Sequence, residues 1–379
     1  MGKIKLLVLT TFYPGDGSGE AHRFVHVRNL YYQEQGIDLK VLCFEAKKSY
    51  EYEGIQVITL ADYLSENENY DLLVSHQANI RQHYRFLKKY GNRFPKFMLF
   101  FHGHEVLRFK TTYPKPYEYV AKTPVKVELR DLYDRFKLSV WHCFIPKVID
   151  KSVLVFVSNW MLDEFLKATQ LRLEDLKGNY NITYNCVGEV FQNNVFNCDS
   201  VKQYDFVTIR SNLDGAKYCI DVVTELARNN PKNKFLVIGK GDFYNHNVKP
   251  DNLTWEDRTL NHQEILDVLN KARCALMPTR TDAQGLMMCE MATFCMPIIT
   301  SDLPVCHEAL DTFQNVAMID NEQINTELEQ ILHELESRMP YKKNTRYFNS
   351  NTSAHEVEII RSIIKETLNN SSVIQNPVS

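Results

Sequence analysis

Two carboxylates, Asp282 and Glu290, stand eight positions apart in the stretch Pro278 to Asp302, PTRTDAQGLMMCEMATFCMPIITSD, with Gly285 and a run of apolar residues between them. On one continuous helix they would lie about 12 Å apart along the axis and about 80° apart around it. That exceeds the roughly 5 to 9.5 Å separation of a glycoside hydrolase carboxylate pair. The pattern instead predicts a loop holding Asp282 and a helix starting at Gly285 or Leu286, with Glu290 one turn inside. A helix start offers unpaired N–H groups and partial positive charge, which suits a phosphate. Carboxylate, anion site, carboxylate is a layout for a ligand with a hydroxylated ring on each side of a phosphate group, such as a sugar nucleotide. Asp is also a favoured helix cap, so the same residues fit a merely capped helix with a solvated Glu290.

The elements that must hold these residues alternate along the chain. KIKLLVLTTF reads as a buried strand ending in a glycine-rich turn, EAHRFVHVRNLYYQEQG as a helix and DLKVLCF as the next strand. YDLLVSH, KFMLFFHG and VLVFVS continue the series, as a parallel sheet covered on both faces requires. The grammar restarts at YDFVTIR, followed by AKYCIDVVTELARNN as a helix, KFLVIGKGD as a strand, HQEILDVLNKA as a helix, CALMP, the GLMMCEMATF helix and PIITSD. The fold class expected is α/β, with two Rossmann-like doubly wound domains facing across a cleft. The domains are expected at 1–186 and 187–346, with a C-terminal helical segment, 347–379, packing back on the first. Ligands of such sheets bind beyond the carboxyl ends of the strands.

Composition excludes several functions. The 379 residues are 44% hydrophobic and 24% charged, within the range of folded globular chains. Forty-four basic against forty-seven acidic residues, net charge −3, lack the positive bias of a dedicated nucleic-acid binder. No run of eighteen uncharged apolar residues occurs, and the first apolar run is short for a secretory core. Nine scattered cysteines without a C-x-x-C pair predict neither a disulfide framework nor a zinc site, and fit a reducing cytoplasm.

The Pro278 to Asp302 stretch resembles the signature of GT-B glycosyltransferases of the glycosyltransferase family 4 type, in which acid, seven residues, acid precedes a small residue, Pro, an apolar pair and Thr or Ser. The resemblance extends along most of the chain. TTFYPGDGSGEAHRFVHVRNLYYQEQGIDLKVL is similar to the family's glycine-loop opening, FFHGHE to its His-Gly motif, VSNWMLDEFL and ITYNCVGEVF to its interdomain passage, and IRSNLDGAKYCID to its Arg/Lys phosphate loop. The resemblance implies that Arg210 and Lys217 bind the donor diphosphate and neutralise the departing nucleotide. It further implies that Glu290 accepts from ribose hydroxyls, that Asp282 accepts from hydroxyls of the transferred sugar, and that the N–H groups of Gly285 and Leu286 face the diphosphate. Gly17 and Gly19, without side chains, would let the first loop approach the phosphates or acceptor. His102, closing the strand KFMLFF, would by the same resemblance stand beside the transferred sugar and phosphate; outside the family such a histidine is more often a loop hydrogen-bonder. The sequence departs from the family in placing Asp282 where Glu is usual, and in lacking Pro-Asn-Gly at YNCVGEVF.

The activity so implied is transfer of a sugar from a nucleotide-diphosphate sugar to a hydroxyl acceptor, a glycan or lipid-linked glycan in cell-surface polysaccharide synthesis, with retained configuration. No metal and no cofactor is expected, since Arg210, Lys217 and the helix start supply the charge a divalent ion would. Val106 to Lys151 carries ten Lys/Arg against five Asp/Glu, and Leu129, Leu132, Tyr133, Phe136, Val140, Trp141 and Phe144 read as one helix face. Such a segment suits the cytoplasmic surface of an anionic membrane, and equally a helix packed on the sheet. The rival readings are a sugar-nucleotide 2-epimerase and a catalytically silent sugar-binding subunit.

Overall fold

The first apolar run becomes strand β1 (Lys5–Thr10), buried from Leu6 to Thr10. The structure, a computed structural model, describes residues 3–15, 22–66 and 68–374. The chain divides into two units, residues 1–107, 133–186 and 348–379 in the first, and 108–132 with 187–347 in the second.

Unit 1 is built on an eight-stranded sheet. After β1 come β2 (Asp38–Cys43), β3 (Tyr50–Tyr52), β4 (Ile55–Ile58), β5 (Leu72–His76), β6 (Phe97–Phe101), β7 (Ser152–Phe156) and β8 (Tyr180–Ile182). Their order is β3-β4-β2-β1-β5-β6-β7-β8. The β3–β4 pair is antiparallel, and the remaining pairs are parallel, with Lys5 to Thr10 of β1 in register with Asp38 to Cys43 of β2. Strands buried on both faces need continuous apolar runs, and LLVSH and FMLFF are buried throughout. The C-terminal helix Ser353–Ile374 presents Val357, Ile360, Ile363 and Ile364 to the core formed by Leu6, Val8, Val25 and Val41. Its attachment is also polar. Arg28 and Glu356, both without solvent exposure, form an ion pair at 3.0 Å, and Tyr32 and Thr183 donate to the same carboxylate at 2.6 and 3.0 Å.

Unit 2 contains β9 (Tyr204–Asn212), β10 (Phe235–Lys240), β11 (Leu253–Glu256), β12 (Ala272–Leu276), β13 (Ile298–Ser301) and β14 (Val316–Ile319). All are parallel, in the order β11-β10-β9-β12-β13-β14. The order winds outward in both directions from β9 and β12, so the switch point of this doubly wound sheet lies between those two strands. Gly239 shows why glycine stands in the turn of GKGD: a Cβ there would come within 2.2 Å of the Arg210 carbonyl oxygen.

The structure departs from the sequence-based expectation in three places. Residues 108–132, expected in the first domain, group with unit 2. The helix expected from Ala216 begins at Ile220, and Ala216–Tyr218 is a separate short turn. The helix Pro124–Val148 does not carry all seven apolar residues on one face. Leu129, Leu132 and Phe136 are more than 60% exposed whereas Trp141 is fully buried, because Trp141 sits about 120° around the helix from Leu129.

Candidate functional site

Arg210 lies near the end of β9, at the switch point of unit 2. Its side chain is 7% exposed. One terminal nitrogen donates to the Pro278 carbonyl oxygen at 2.7 Å, just past the end of β12. Its Nε finds no partner among the described residues. Burial lowers the guanidinium's pKa, and the charge of Asp282 is the largest influence opposing that shift. A buried donor without an acceptor costs free energy, which a bound anion would recover.

Lys217 lies in the short turn that follows β9. Its Nζ stands 4.6 Å from the centroid of the Tyr218 ring, and the Arg210 guanidinium stands 5.1 Å from the same ring. One aromatic side chain thus brings the two cations together. The turn is held from the β12 loop: the backbone N–H of Arg280 and the hydroxyl of Thr279 donate to the Lys217 carbonyl at 2.9 and 3.1 Å.

Asp282 belongs to that β12 loop. Its Oδ1 accepts from the N–H of Ala283 at 2.8 Å, and it is partly exposed. The helix Leu286–Thr293 follows, with Gly285 as its N-cap at φ +71° and no side-chain cap hydrogen bond. The left-handed backbone favours glycine at 285, and a Cβ there would also lie 2.1 Å from the Met288 Cε and displace the end of that side chain. No capping side chain serves the first turn; the Met288 N–H donates to the Gly285 carbonyl at 2.9 Å, and the N–H groups before it precede any intrahelical acceptor.

Glu290 is one turn inside, 6% exposed. Its Oε1 accepts from the Gly188 N–H at 3.4 Å. Burial pushes its pKa up to about 7, opposed by that single N–H. Gly188 leaves room beside the carboxylate: a Cβ there would meet the His262 ring at 3.2 Å and Glu290 Oε1 at 3.6 Å. A desolvated acid with one weak backbone donor is short of hydrogen bonds that ligand hydroxyls can supply.

The corresponding edge of unit 1 gathers imidazoles. His102 follows β6 directly, and its Nε2 lies 3.2 Å from Nδ1 of His76, at the end of β5. His22 Nδ1 lies 2.7 Å from the Thr10 hydroxyl at the end of β1. The Phe24 ring is 4.7 Å from that of His102. Burial, then the charges of Arg28 and His22, hold the His102 pKa well below the usual histidine range. The backbone N–H of His102 donates to Glu105 Oε1, and Lys137 fastens the same loop through the carbonyls of His104 and Leu107 at 3.0 and 2.9 Å. His102 is therefore a neutral hydrogen-bonding group here, and a poor source of positive charge.

Within unit 2, Arg210 and Lys217 meet on the Tyr218 ring, Arg210 feels the charge of Asp282, and Gly285, Leu286 and Glu290 follow Asp282 on the same loop and helix; His102 belongs to unit 1. Gly17 and Gly19 lie outside the described residues. Sequence reasoning did not single out Gly188 and His262 beside Glu290, His76 and His22 around His102, or Asp221 and Arg280 beneath the Lys217 turn. Arg280 was visible only as a neighbour of Asp282, since its partner Asp221 is 59 residues away. Among the described residues no group of three His, Cys, Asp or Glu side chains is arranged to hold a metal ion, and no helix is long and apolar enough to cross a membrane.

Residues 206–336, all within unit 2, match the family described as Glycosyl transferases group 1. Among solved structures, sucrose-phosphate synthase from Thermosynechococcus elongatus is similar at 11% identity and TM-score 0.72, over 96% of this chain and 100% of that one. The fold is that of the GT-B glycosyltransferases. A glycosyltransferase from Rickettsia africae is similar at 12% identity and TM-score 0.67, over 96% of this chain and 100% of that chain. WaaG, a glycosyltransferase involved in lipopolysaccharide biosynthesis, is 14% identical with TM-score 0.56, over 89% of this GT-B chain and 92% of its own. No curated protein matches the sequence. The family match and the GT-B neighbours together support a glycosyltransferase.

Proposed function

We propose that this GT-B protein transfers a sugar from a nucleotide-diphosphate sugar to a hydroxyl acceptor, with retention of configuration. The observation that carries the reading is the buried Arg210, its Nε unpaired, beside Lys217 on one aromatic ring and facing the charge of Asp282. In this reading Arg210, Lys217 and the N–H groups of Gly285 and Leu286 hold the diphosphate. Glu290 takes the ribose hydroxyls and Asp282 those of the sugar. The acceptor oxygen forms a bond to the anomeric carbon as the bond from that carbon to the β-phosphate oxygen breaks. The acceptor proton passes to the departing phosphate, and the two cations stabilise the charge that develops there. His102 contributes a neutral hydrogen bond to the sugar or its phosphate. The reaction requires no cofactor, and we propose no metal.

A thermal-shift screen of UDP-, GDP-, ADP- and dTDP-sugars tests the reading, because a ligand that binds only the native state raises the melting temperature. One donor is expected to raise it in the wild type and to lose that effect in Arg210→Ala and Glu290→Gln. Equal shifts in all three proteins would overturn the site assignment. Release of an epimer from the donor alone would favour the epimerase, and binding without turnover of any donor the silent subunit.

The acceptor is proposed to be lipid-linked. Val125, Leu129, Leu132 and Phe136, at intervals of four, three and four residues on the helix Pro124–Val148, are 61 to 69% exposed. Their segment carries the basic excess noted above. Co-sedimentation with phosphatidylglycerol vesicles, lost in Leu132→Ser/Phe136→Ser, is the expected result; unchanged sedimentation of that variant would remove this surface from consideration.

A further inference from the structure

The turn that carries Lys217 is bracketed by two carboxylates, Asp214 three residues before it and Asp221 four residues after it. Each is held by a tyrosine from a distant part of the chain. Tyr119 donates to Asp214 Oδ1 at 2.7 Å, and Tyr117 donates to Asp221 Oδ1 at 2.9 Å. Both tyrosines lie in residues 108–132, the segment that groups with unit 2 although its neighbours in sequence belong to unit 1.

The two contacts are built into larger arrangements. The rings of Tyr117 and Tyr119 stack at 5.9 Å, Tyr119 stacks on His246 at 4.3 Å, and Tyr117 packs on Phe243 at 4.9 Å. Asp214 also accepts from the Asp242 N–H at 2.8 Å. Gly241, at φ +144°, suits this passage: a side chain there would strain the backbone and bring a Cβ to 3.0 Å from the Asp214 carboxylate. On the other side Arg280 grips Asp221 with two nitrogens at 2.9 and 2.7 Å. The same guanidinium donates to the Ala216 carbonyl at 2.8 Å, and the Arg280 N–H to the Lys217 carbonyl at 2.9 Å. Three segments remote in sequence thus converge on a turn of three residues.

We infer that Tyr117 and Tyr119 are positioning residues, a strap that fixes the Asp214 to Asp221 turn so that Lys217 meets the diphosphate already in place. The inference rests on the proposal that Lys217 binds the donor diphosphate. A preset turn spares the ordering cost that a mobile lysine would pay on binding and on reaching the transition state. The strap acts through Asp214, Asp221 and Arg280 and touches no substrate itself.

The test is the double variant Tyr117→Phe/Tyr119→Phe in the full chain, which keeps both rings and removes only the two hydroxyls. Amide hydrogen exchange across 212–219 is expected to quicken by at least about tenfold, because a single hydrogen bond to a charged acceptor is worth that factor. Exchange in the β9 and β12 cores should stay unchanged. Turnover of the donor found by thermal shift should fall by a similar factor in kcat, and Lys217→Ala should abolish it. Asp221→Asn, which still accepts from Tyr117, should retain more activity than Asp221→Ala. Unchanged exchange in 212–219 would overturn the strap whatever the activity. Faster exchange together with normal turnover in both the double variant and Lys217→Ala would overturn the positioning role through the donor reading. Faster exchange with turnover lost in Lys217→Ala but kept in the double variant would overturn the positioning role alone.

Discussion

Replacing Glu290 by Gln separates what the carboxylate does for a ligand from what it costs the fold. In the folded chain burial raises this acid from its ordinary value of 4.5 to about 7. The native state therefore holds the proton longer than the unfolded chain does. Wild-type stability falls as pH rises from the ordinary carboxyl value to about 7, and is level above that. With those two values the linkage relation gives a cost of about 1 kcal/mol at pH 5 and about 3 kcal/mol at pH 8. Gln does not ionise and lacks this slope. The stability of Glu290→Gln relative to wild type should thus increase by about 2 to 3 kcal/mol between pH 5 and pH 8. Any fixed penalty for the new amide cancels in that difference. Urea titrations of both proteins at the two pH values measure it directly. A difference constant to within about 0.5 kcal/mol would show that Glu290 ionises as freely in the fold as in water, and the description of it as a desolvated acceptor would be wrong. On the proposed function the same substitution weakens donor binding, so the variant should gain stability relative to wild type as pH rises while remaining the less active protein.

Three further outcomes are expected. Gly285→Ala places a Cβ against Met288 in a left-handed backbone; a loss of at least about 1 to 2 kcal/mol in chemical denaturation follows from the backbone alone, and a neutral result would mean that the helix start rearranges. Glu356→Gln leaves the fully buried Arg28 without its counter-charge, and a loss of about 3 to 5 kcal/mol is expected; a change below 1 kcal/mol by the same assay would show that water reaches the pair. Burial holds His76, His83 and His102 neutral, His83 down to about 3. The unfolded chain takes up protons at these residues below its ordinary histidine value, so stability should drop as pH falls through 6.5 and below; a slope unaltered in His83→Asn would refute this.

The alternation of strands and helices along the chain and the helix after Gly285 were legible because both rest on local patterns. Continuous apolar runs such as FMLFF mark strands buried on two faces, and glycine ahead of an apolar helical run is compatible with its N-cap. The shortest strands were not legible: YEY, IQVI and LTWE each offer four residues or fewer, too few for a period to show. The surroundings of the site were hidden for another reason. Tyr117 meets Asp221 across 104 positions, and Arg28 meets Glu356 across 328. Nothing in one residue's immediate neighbours announces a partner so far away. The apolar residues of Pro124–Val148 were named from the sequence, with a membrane-facing and a sheet-packed face both left open; Leu129, Leu132 and Phe136 are exposed, and Trp141, grouped with them because the spacing was counted without following the helix around its axis, is buried.

The membership of residues 108–132 has a practical consequence. The backbone passes between units at four places, after residues 107, 132, 186 and 347. A chimera joined at residue 187 would inherit residues 187–347 of unit 2 from one parent and Tyr117 and Tyr119 from the other. Exchange of halves with a distant relative should succeed only if this 25-residue insert travels with its own Asp214, Asp221 and Arg280. Recombination blocks for this chain are therefore drawn by contact, and they are discontinuous in the gene.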